Sequence, residues 1–500
     1  MNPRRIQIDL SSQTTPRDRF TDLSIGSDYP GTLIRDDCLA QLRLVREELG
    51  FRYVRFHAIF HDVLGTYREV NGEPVYDWSR IDYLYDELLA MGVRPFVELG
   101  FTPDAMKSSE QTVFYWKGNT SHPQPEKWTS LVAFARHLVE RYGRDEVRTW
   151  FFEVWNEPNL ADFWERADQA AYFELYARTA RALKAVDSEF KVGGPSTAGA
   201  AWIPEFLAYA AERQLPVDFV TTHTYGVDHG FLDEKGVSDT KLSPSPEAIV
   251  ADVRRVREQI EASPMAGLPL HFTEWSTSYT PRDAVHDSYH SAAYIPTKLN
   301  ESNGLVQSMS YWTFSDLFEE PGPPTTPFHG GFGLLNAQGL RKPAYFAYQY
   351  LNRLGDRVVD TRDGQSIATV AEQGVKVLAW HYAAPAQLAS NRSYFTKVQP
   401  VAALAPLVLA LSNAPPGRYE ARIHRTGFER NDAYTAYLKL GSPAQLEATQ
   451  FDQLNALTRD EPELQTLEID ASGSGQLTIP FREYDVVLID LRRCAGAPAR

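Results

Sequence analysis

Between about residue 20 and residue 350, short apolar segments alternate with stretches of helical periodicity. Eight of these segments are predicted as strands, at residues 23–27, 53–56, 95–99, 149–154, 191–194, 218–222, 270–273 and 307–312. A helix between successive strands carries the chain back over the sheet, so consecutive strands run parallel. Eight strand–helix units in about 330 residues are typical of a (β/α)8 barrel.

The pattern changes after about residue 354. Alternating apolar and polar residues at 366–370 and 375–380 flank a turn at Gly374, and residues 419–424, 467–469 and 477–479 alternate similarly. A period of two residues is typical of antiparallel strands with one buried face. We therefore expect a barrel over residues 15–354, an antiparallel β-sandwich over residues 355–500, and an N-terminal strand within residues 1–14 that joins the sandwich.

Charge and composition exclude several classes of partner. The net charge of −15 disfavours binding to nucleic acid or to an anionic membrane. Uninterrupted apolar runs of about 18 residues are absent, so no transmembrane helix is expected. Cys38 and Cys494 follow no disulfide pattern, and we expect two unpaired thiols. The N-terminus lacks the apolar core of a signal peptide, which predicts a cytoplasmic location unless such a peptide has been removed.

Two glutamates stand at the ends of predicted strands. The segment FFEVWNEP at residues 151–158 ends in Asn156 and Glu157, and LHFTEW at residues 270–275 ends with Glu274 before a tryptophan. Barrel active sites lie at the C-terminal ends of the strands. Glycosidic bond cleavage needs an acid for the departing oxygen and a carboxylate facing the anomeric carbon. We predict Glu157 as acid/base, Glu274 as nucleophile and Asn156 as a ligand of the sugar 2-hydroxyl; either glutamate alone would indicate a solvated or helix-capping carboxylate.

Four longer motifs accompany these glutamates. They are WNEPNL followed by FW at residues 163–164, THTY at 222–225, FTEW at 272–275 and YWTFSD at 311–316. In this order and spacing they resemble glycoside hydrolase family 39, the β-xylosidases of clan A. The resemblance covers the barrel and implies a retaining (β/α)8 enzyme with its acid/base on strand 4 and its nucleophile on strand 7.

The resemblance also implies roles for further residues. It makes His57 a sugar-hydroxyl ligand, places His223 and Tyr225 near the nucleophile, and makes Trp312 an aromatic platform and Glu320 a glycone-binding carboxylate. Phe114, in the loop after the third strand, is predicted to wall the pocket, and Phe163 is predicted to shape the leaving-group side. The alternatives are a core histidine for His57, barrel packing for Trp312 and ordinary loop packing for the two phenylalanines.

No metal or cofactor is expected. His57 and His61 are four residues apart, which on a helix is a metal-ligand spacing, but His57 ends a predicted strand. A phosphate-binding glycine loop before a helix is also absent, so nothing supports a nucleotide cofactor.

The implied reaction is that of a xylan 1,4-β-xylosidase, which removes xylose from the non-reducing end of β-1,4-xylo-oligosaccharides by double displacement. The two carboxyl groups are then expected to lie about 5–5.5 Å apart. We expect nearby negative charge to raise the pKa of Glu157 and hydrogen-bond donors to keep Glu274 ionised. One alternative is an α-L-iduronidase-like enzyme, whose acidic substrate calls for Lys or Arg where this chain offers Glu320. Another is a carbohydrate-binding protein without catalysis; the oligomeric state is left open.

Overall fold

The computed structural model describes residues 3–130, 132–228, 231–232, 238–372 and 374–494. Its strands in chain order are β1 (Arg4–Asp9), β2 (Thr15–Pro16), β3 (Ser24–Gly26), β4 (Tyr53–Phe56), β5 (Tyr67–Val70), β6 (Glu73–Tyr76), β7 (Arg94–Leu99), β8 (Thr112–Val113), β9 (Gly118–Asn119), β10 (Phe151–Val154), β11 (Lys191–Thr197), β12 (Phe219–Tyr225), β13 (Phe231–Leu232), β14 (Ser238–Asp239), β15 (Leu270–Ser276), β16 (Ser308–Tyr311), β17 (Arg357–Val359), β18 (Ser366–Ala371), β19 (Gly374–Trp380), β20 (Leu407–Ser412), β21 (Gly417–Thr426), β22 (Glu463–Ile469), β23 (Gly475–Ile479) and β24 (Val486–Arg493).

The helices cover the outside of the barrel and also occur in the C-terminal region. They are α1 (Pro30–Leu33), α2 (Asp36–Leu49), α3 (Ser79–Ala90), α4 (Pro125–Ser130), α5 (Val132–Tyr142), α6 (Arg144–Val147), α7 (Gln169–Val186), α8 (Ile203–Glu212), α9 (Val250–Glu261), α10 (Tyr289–Ser302), α11 (Pro343–Arg353), α12 (Asn391–Phe395), α13 (Ala433–Lys439) and α14 (Ala448–Ala456). Within the described ranges, no helix has both the length and the apolar character needed to cross a bilayer.

Eight parallel strands close into a barrel in the circular order β3, β4, β7, β10, β11, β12, β15 and β16. Each of them overlaps one of the eight segments predicted from the sequence, so the predicted (β/α)8 fold is confirmed. The strands are buried almost throughout, because helices cover the outer face while side chains fill the interior.

Two further sheets form the sandwich, one with the strand order β1-β20-β23 and one with the order β2-β17-β18-β19-β24-β21-β22. The hairpin predicted around Gly374 is present as β18 and β19. Strand β1 runs parallel to β20, whereas the other described pairs of these sheets are antiparallel. Parallel pairing is open to β1 because the whole barrel separates it from β20 in the sequence. Thr15 and Pro16, which the predicted boundary assigns to the barrel, pair with β17 and extend the larger sheet.

The larger sheet has two apolar faces. On β24, Val487, Ile489 and Leu491 pack into the sandwich core, while Val486 and Leu488 belong to the core of the barrel. The residues of β19 divide in the same way. Successive residues of a strand point to opposite faces, so one sheet joins both cores.

The two cysteines are unpaired, as predicted. Cys38 is buried in α2 and Cys494 is exposed just after β24. Burial raises the pKa of the Cys38 thiol.

Candidate active site

A cavity of about 1220 Å³ opens at the C-terminal ends of the barrel strands. Nine of the ten site residues predicted from the sequence line it, namely His57, Phe114, Asn156, Glu157, Phe163, Tyr225, Glu274, Trp312 and Glu320. The tenth, His223, is fully buried and lies against Glu157. The predicted residues therefore meet at one place.

Glu157 and Glu274 face each other across this cavity. One carboxylate oxygen of Glu157 and one of Glu274 lie within 4.8 Å of each other. Glu157 follows β10 with a φ of 44°, and its backbone N–H donates to the Ser196 carbonyl over 2.7 Å. Glu274 lies on β15, where the pairing with β12 shifts register between Thr222 and His223. Such irregularities at strand ends redirect side chains.

Hydrogen-bond donors surround Glu274. Nη1 of Arg55 donates to Oε1 over 2.5 Å, and the hydroxyl of Tyr225 donates to Oε2 over 2.7 Å. Nε2 of His57 lies 3.8 Å from Oε1. Arg55 and Tyr225 therefore hold both carboxylate oxygens of Glu274 in place.

The surroundings of Glu157 are different. Among the residues that the structure describes, no charged side chain donates a hydrogen bond to Glu157, and its Oε1 lies 2.8 Å from Nδ1 of His223. Burial raises the pKa of Glu157 to about 7, against the opposing charges of His57 and Arg55. We expected nearby negative charge to be the main cause of this rise in pKa, and that expectation is wrong. Desolvation is the main cause, and the negative charge of Glu98 makes a smaller contribution.

Arg55 is the centre of the site and was missed from the sequence. Its guanidinium is fully buried and bonds to Glu153 over 2.8 Å, to Glu274 over 2.5 Å and to Oδ1 of Asn156 over 2.8 Å, with Glu98 at 3.1 Å. The bond to Oδ1 leaves the amide nitrogen of Asn156 to donate to a ligand. A signal was available in the sequence, since Arg55, Glu98 and Glu153 are charged residues inside predicted buried strands, where charges need partners.

His57 and Glu320 form the buried end of the cavity. Nδ1 of His57 lies 2.7 Å from Glu98 and Nε2 lies 3.1 Å from Glu320, so both ring nitrogens have carboxylate partners. Burial lowers the pKa of His57, but the two carboxylates outweigh it and raise the pKa to about 10. Burial raises the pKa of Glu320 to about 8. The Trp312 ring centroid lies 4.7 Å from that of His57 and provides the apolar wall.

Aromatic rings from two loops continue the wall. Phe114 and Phe163 both line the cavity and contact each other edge to face at 5.2 Å. Their sequence neighbours do not line it. Trp116 stacks on Tyr29 at 4.5 Å, and Trp164 stacks on His122 at 4.1 Å.

Three potential metal ligands converge here, but with a cation already among them. Atoms of Glu157, His223 and Glu274 lie within 4.8 Å of one another, and Arg55 is bonded to Glu274 in the same place. The nitrogens of His61 lie against the Trp116 carbonyl and the Val63 N–H, so His61 does not pair with His57.

Comparison with known proteins gives consistent matches. A model described as "Glycosyl hydrolases family 39" matches residues 4–476. The β-xylosidase of Geobacillus stearothermophilus is 46% identical over 368 residues, which are 71% of this chain and 73% of that protein. The structure of the GH39 enzyme from Xanthomonas axonopodis pv. citri is 59% identical with a TM-score of 0.97, covering 99% of this chain and 98% of that one. A monomeric β-xylosidase from Caulobacter crescentus CB15 is 61% identical with a TM-score of 0.96, covering 98% of this chain and 100% of that one.

Proposed function

We propose that this chain, which belongs to the glycosyl hydrolases of family 39, is a retaining, exo-acting β-xylosidase. Its substrates are short β-1,4-xylo-oligosaccharides, shortened from the non-reducing end. The curated relative and the solved structure named above as β-xylosidases support this substrate class.

The separation of the two carboxylates carries the proposal. One oxygen of Glu157 and one of Glu274 lie within 4.8 Å of each other, and so close an approach favours a retaining enzyme, with about 5–5.5 Å between carboxyl groups, over an inverting one with about 6.5–9.5 Å. Two carboxyl groups this close leave room for the anomeric carbon between them but not for an additional water molecule between that carbon and the nucleophile.

The reaction proceeds in two displacements. Ionised Glu274 attacks the anomeric carbon, the bond to the aglycone oxygen breaks, and Glu157 gives its proton to that oxygen. A water molecule then attacks the same carbon, the ester bond to Glu274 breaks, and the proton of the water returns to Glu157. With its pKa raised to about 7, Glu157 still carries its proton in about half of the molecules in neutral solution, whereas an ordinary glutamate would have lost it.

Exo action is supported by the unequal ends of the cavity. His57 and Trp312 are buried and the side chain of Glu320 is only 9% exposed, whereas the lining residues Leu160 and Tyr279 are 39% and 50% exposed. A chain end therefore enters at the exposed side, and the terminal sugar occupies the buried end.

A neutral sugar fits this end better than an acidic one. Among the described lining residues, Arg255 is the one lysine or arginine; it pairs with Asp252 over 2.7 Å and lies with the exposed residues. At the buried end, both nitrogens of His57 are already paired, with Glu98 and with Glu320, so the imidazole has no nitrogen left to bind a substrate carboxylate. These contacts disfavour the iduronidase-like alternative.

The test is hydrolysis of xylobiose and of an aryl β-xyloside, with an aryl α-L-iduronide as comparison. Proton NMR should detect β-xylose first, before mutarotation. In azide, Glu157→Ala should form β-xylosyl azide from an activated aryl xyloside, whereas Glu274→Ala should form the α-azide. If α-xylose is the first product, the enzyme does not retain the anomeric configuration. Activity on the iduronide but not on the xylosides would exclude xylo-oligosaccharides as the substrate. Xyloside binding without turnover would indicate a carbohydrate-binding protein.

A further inference from the structure

His223 has a partner for each ring nitrogen. Nδ1 lies 2.8 Å from Oε1 of Glu157, and Nε2 lies 3.2 Å from Oγ1 of Thr273. Burial lowers the pKa of His223 to about 4, so the ring is neutral in neutral solution and carries one proton. Which nitrogen holds that proton decides what His223 does to Glu157.

The hydrogen bonds of Thr273 determine which nitrogen of His223 carries the proton. Its Oγ1 donates its one hydrogen to Oε1 of Glu153 over 2.7 Å, and all the atoms involved are buried. Glu153 cannot donate in return, because its Oε2 is ion-paired with Nε of Arg55 over 2.8 Å and an ionised carboxylate only accepts. The hydroxyl of Thr273 is thus left to accept from His223. The ring proton must lie on Nε2, and Nδ1 presents a lone pair to Glu157.

We propose that Thr273 and Glu153, held by Arg55, fix the tautomer of His223 so that Nδ1 only accepts, and that this arrangement keeps the proton on Glu157 between turnovers. Thr273 and Glu153 are positioning residues that act through His223. The inference deepens the proposed function and rests on it where it assigns the acid/base role to Glu157.

The arrangement has different effects on the two steps of the reaction. A protonated Glu157 donates to Nδ1 over 2.8 Å, whereas an ionised Glu157 faces a lone pair at the same distance. Loss of the proton to the aglycone therefore breaks a hydrogen bond, and its recovery from water restores one. His223 makes Glu157 a stronger base for the second displacement than burial alone would.

Other charges around His223 do not reverse this assignment. Besides Glu157, the charged groups of the described residues that act most strongly on its ring are Glu274 at 3.6 Å from Nδ1, Arg55, Glu153 and His57. Glu274 accepts from Arg55 and Tyr225, so it supplies no proton to Nδ1.

Two measurements test the proposal. The first is the ¹⁵N spectrum of histidine-labelled wild-type protein, with His223 assigned by comparison with His223→Asn. We expect Nε2 protonated and Nδ1 unprotonated. The second is the pH dependence of kcat/KM for xylobiose in Thr273→Val. Without an acceptor for Nε2–H, His223 can carry its proton on Nδ1 and donate to ionised Glu157, so the alkaline limb should move about one pH unit lower.

Two variants serve as controls. Thr273→Ser keeps the hydroxyl and should keep the wild-type alkaline limb. Thr369→Val removes a buried threonine hydroxyl of the sandwich, which accepts from the Gly355 N–H, and should also leave the limb unchanged. If Thr273→Val does not fold, the wild-type spectrum alone decides.

The possible outcomes separate this proposal from the proposed function. A protonated Nδ1 in the wild type, or an unmoved alkaline limb in folded Thr273→Val, overturns the fixed tautomer while leaving β-xylosidase activity intact. Absence of xylose release by the wild type overturns the function, whereas the spectrum still reports the tautomer.

Discussion

Glu157 and Glu274 have the same side chain but opposite surroundings. Glu274 accepts from Arg55 and Tyr225, whereas Glu157 is buried and faces a neutral imidazole. An acid and a nucleophile working together require such different surroundings, because the acid must hold a proton that the nucleophile lacks. Their roles follow from these neighbours, and the residue type alone does not distinguish them.

The raised pKa of Glu157 predicts that Glu157→Gln stabilises the protein as the pH rises. Protonated Glu157 contributes stability that is fully present below its unfolded pKa of about 4.5 and is lost as the pH rises through its folded pKa of about 7. Glutamine cannot ionise, so by pH 8 the free energy of unfolding of the variant should exceed that of the wild type by up to about 3 kcal/mol. Urea unfolding at pH 5 and pH 8 measures this.

The matched control is Glu47→Gln, at an exposed position of α2. Its effect should be within about 0.5 kcal/mol and equal at both pH values. An equal effect of Glu157→Gln at pH 5 and pH 8 would show that burial does not raise the pKa of Glu157.

At the scale of elements, the eight barrel strands could be predicted because parallel strands are buried on both faces and appear as apolar runs. The side chains at the strand ends could be predicted to meet at one site, because all eight parallel strands end at the same rim of the barrel. The sequence did not indicate which charged side chains would contact one another inside the barrel. Arg55 contacts Glu153 and Glu274 only because the barrel closes and three strands bring them to the same depth.

The C-terminal helices were missed for a different reason. Helices α13 and α14 lie between two strands, β21 and β22, in a region where the surrounding pattern has a period of two. Tyr434 and Tyr437 of α13 pack against Phe328 in the loop after the last barrel strand, a partner far away in the sequence. Tertiary packing of this kind stabilises a short helix that its own periodicity indicates only weakly.

Gly26 on β3 provides the space for Trp312. A Cβ at this position would lie 2.3 Å from Cε3 of Trp312 and 3.1 Å from the Tyr311 carbonyl. Gly26→Ala must therefore displace the indole that walls the buried end, and we expect kcat/KM for xylobiose to fall about 10–100-fold. Steady-state kinetics check this.

Gly364→Ala is the control for that prediction, because a Cβ there has no atom within 4 Å. It should leave kcat/KM unchanged. Wild-type kinetics in folded Gly26→Ala would mean that the position of Trp312 does not matter to the substrate.

At the scale of the whole molecule, the sandwich is joined to the barrel by more than a shared apolar sheet. Asn391 of α12 is fully buried and lies between two barrel loops. Its Nδ2 donates to Asp283 over 2.8 Å, and its Oδ1 accepts from the Leu242 N–H over 3.1 Å. These loops follow β12 and β15, which carry Tyr225 and Glu274. The accessory region thus holds the loops on the exposed side of the cavity.

Asn391→Ala removes both bonds and should cost about 2 kcal/mol of unfolding free energy. Because Asp283 and Leu242 lie in loops that border the cavity, KM for xylobiose should rise while KM for an aryl xyloside changes less. Urea unfolding and kinetics on both substrates measure these effects.

Asn455→Ala, at an exposed position of α14, is the control and should change neither quantity. An Asn391→Ala protein as stable as wild type, with an unchanged KM, would show that the sandwich does not hold these loops.

Arg55 limits how this enzyme can be redesigned. One guanidinium contacts Glu153, Asn156 and Glu274 at once, so replacing any one of them disturbs the other two. Glu320 is linked to the same network through His57 and Glu98, whereas Phe114 comes from a separate loop and packs against Phe163. Engineering for a different sugar should therefore vary Phe114 first and retain the Arg55 contacts, because there the wall of the cavity can change without moving the groups that cleave the bond.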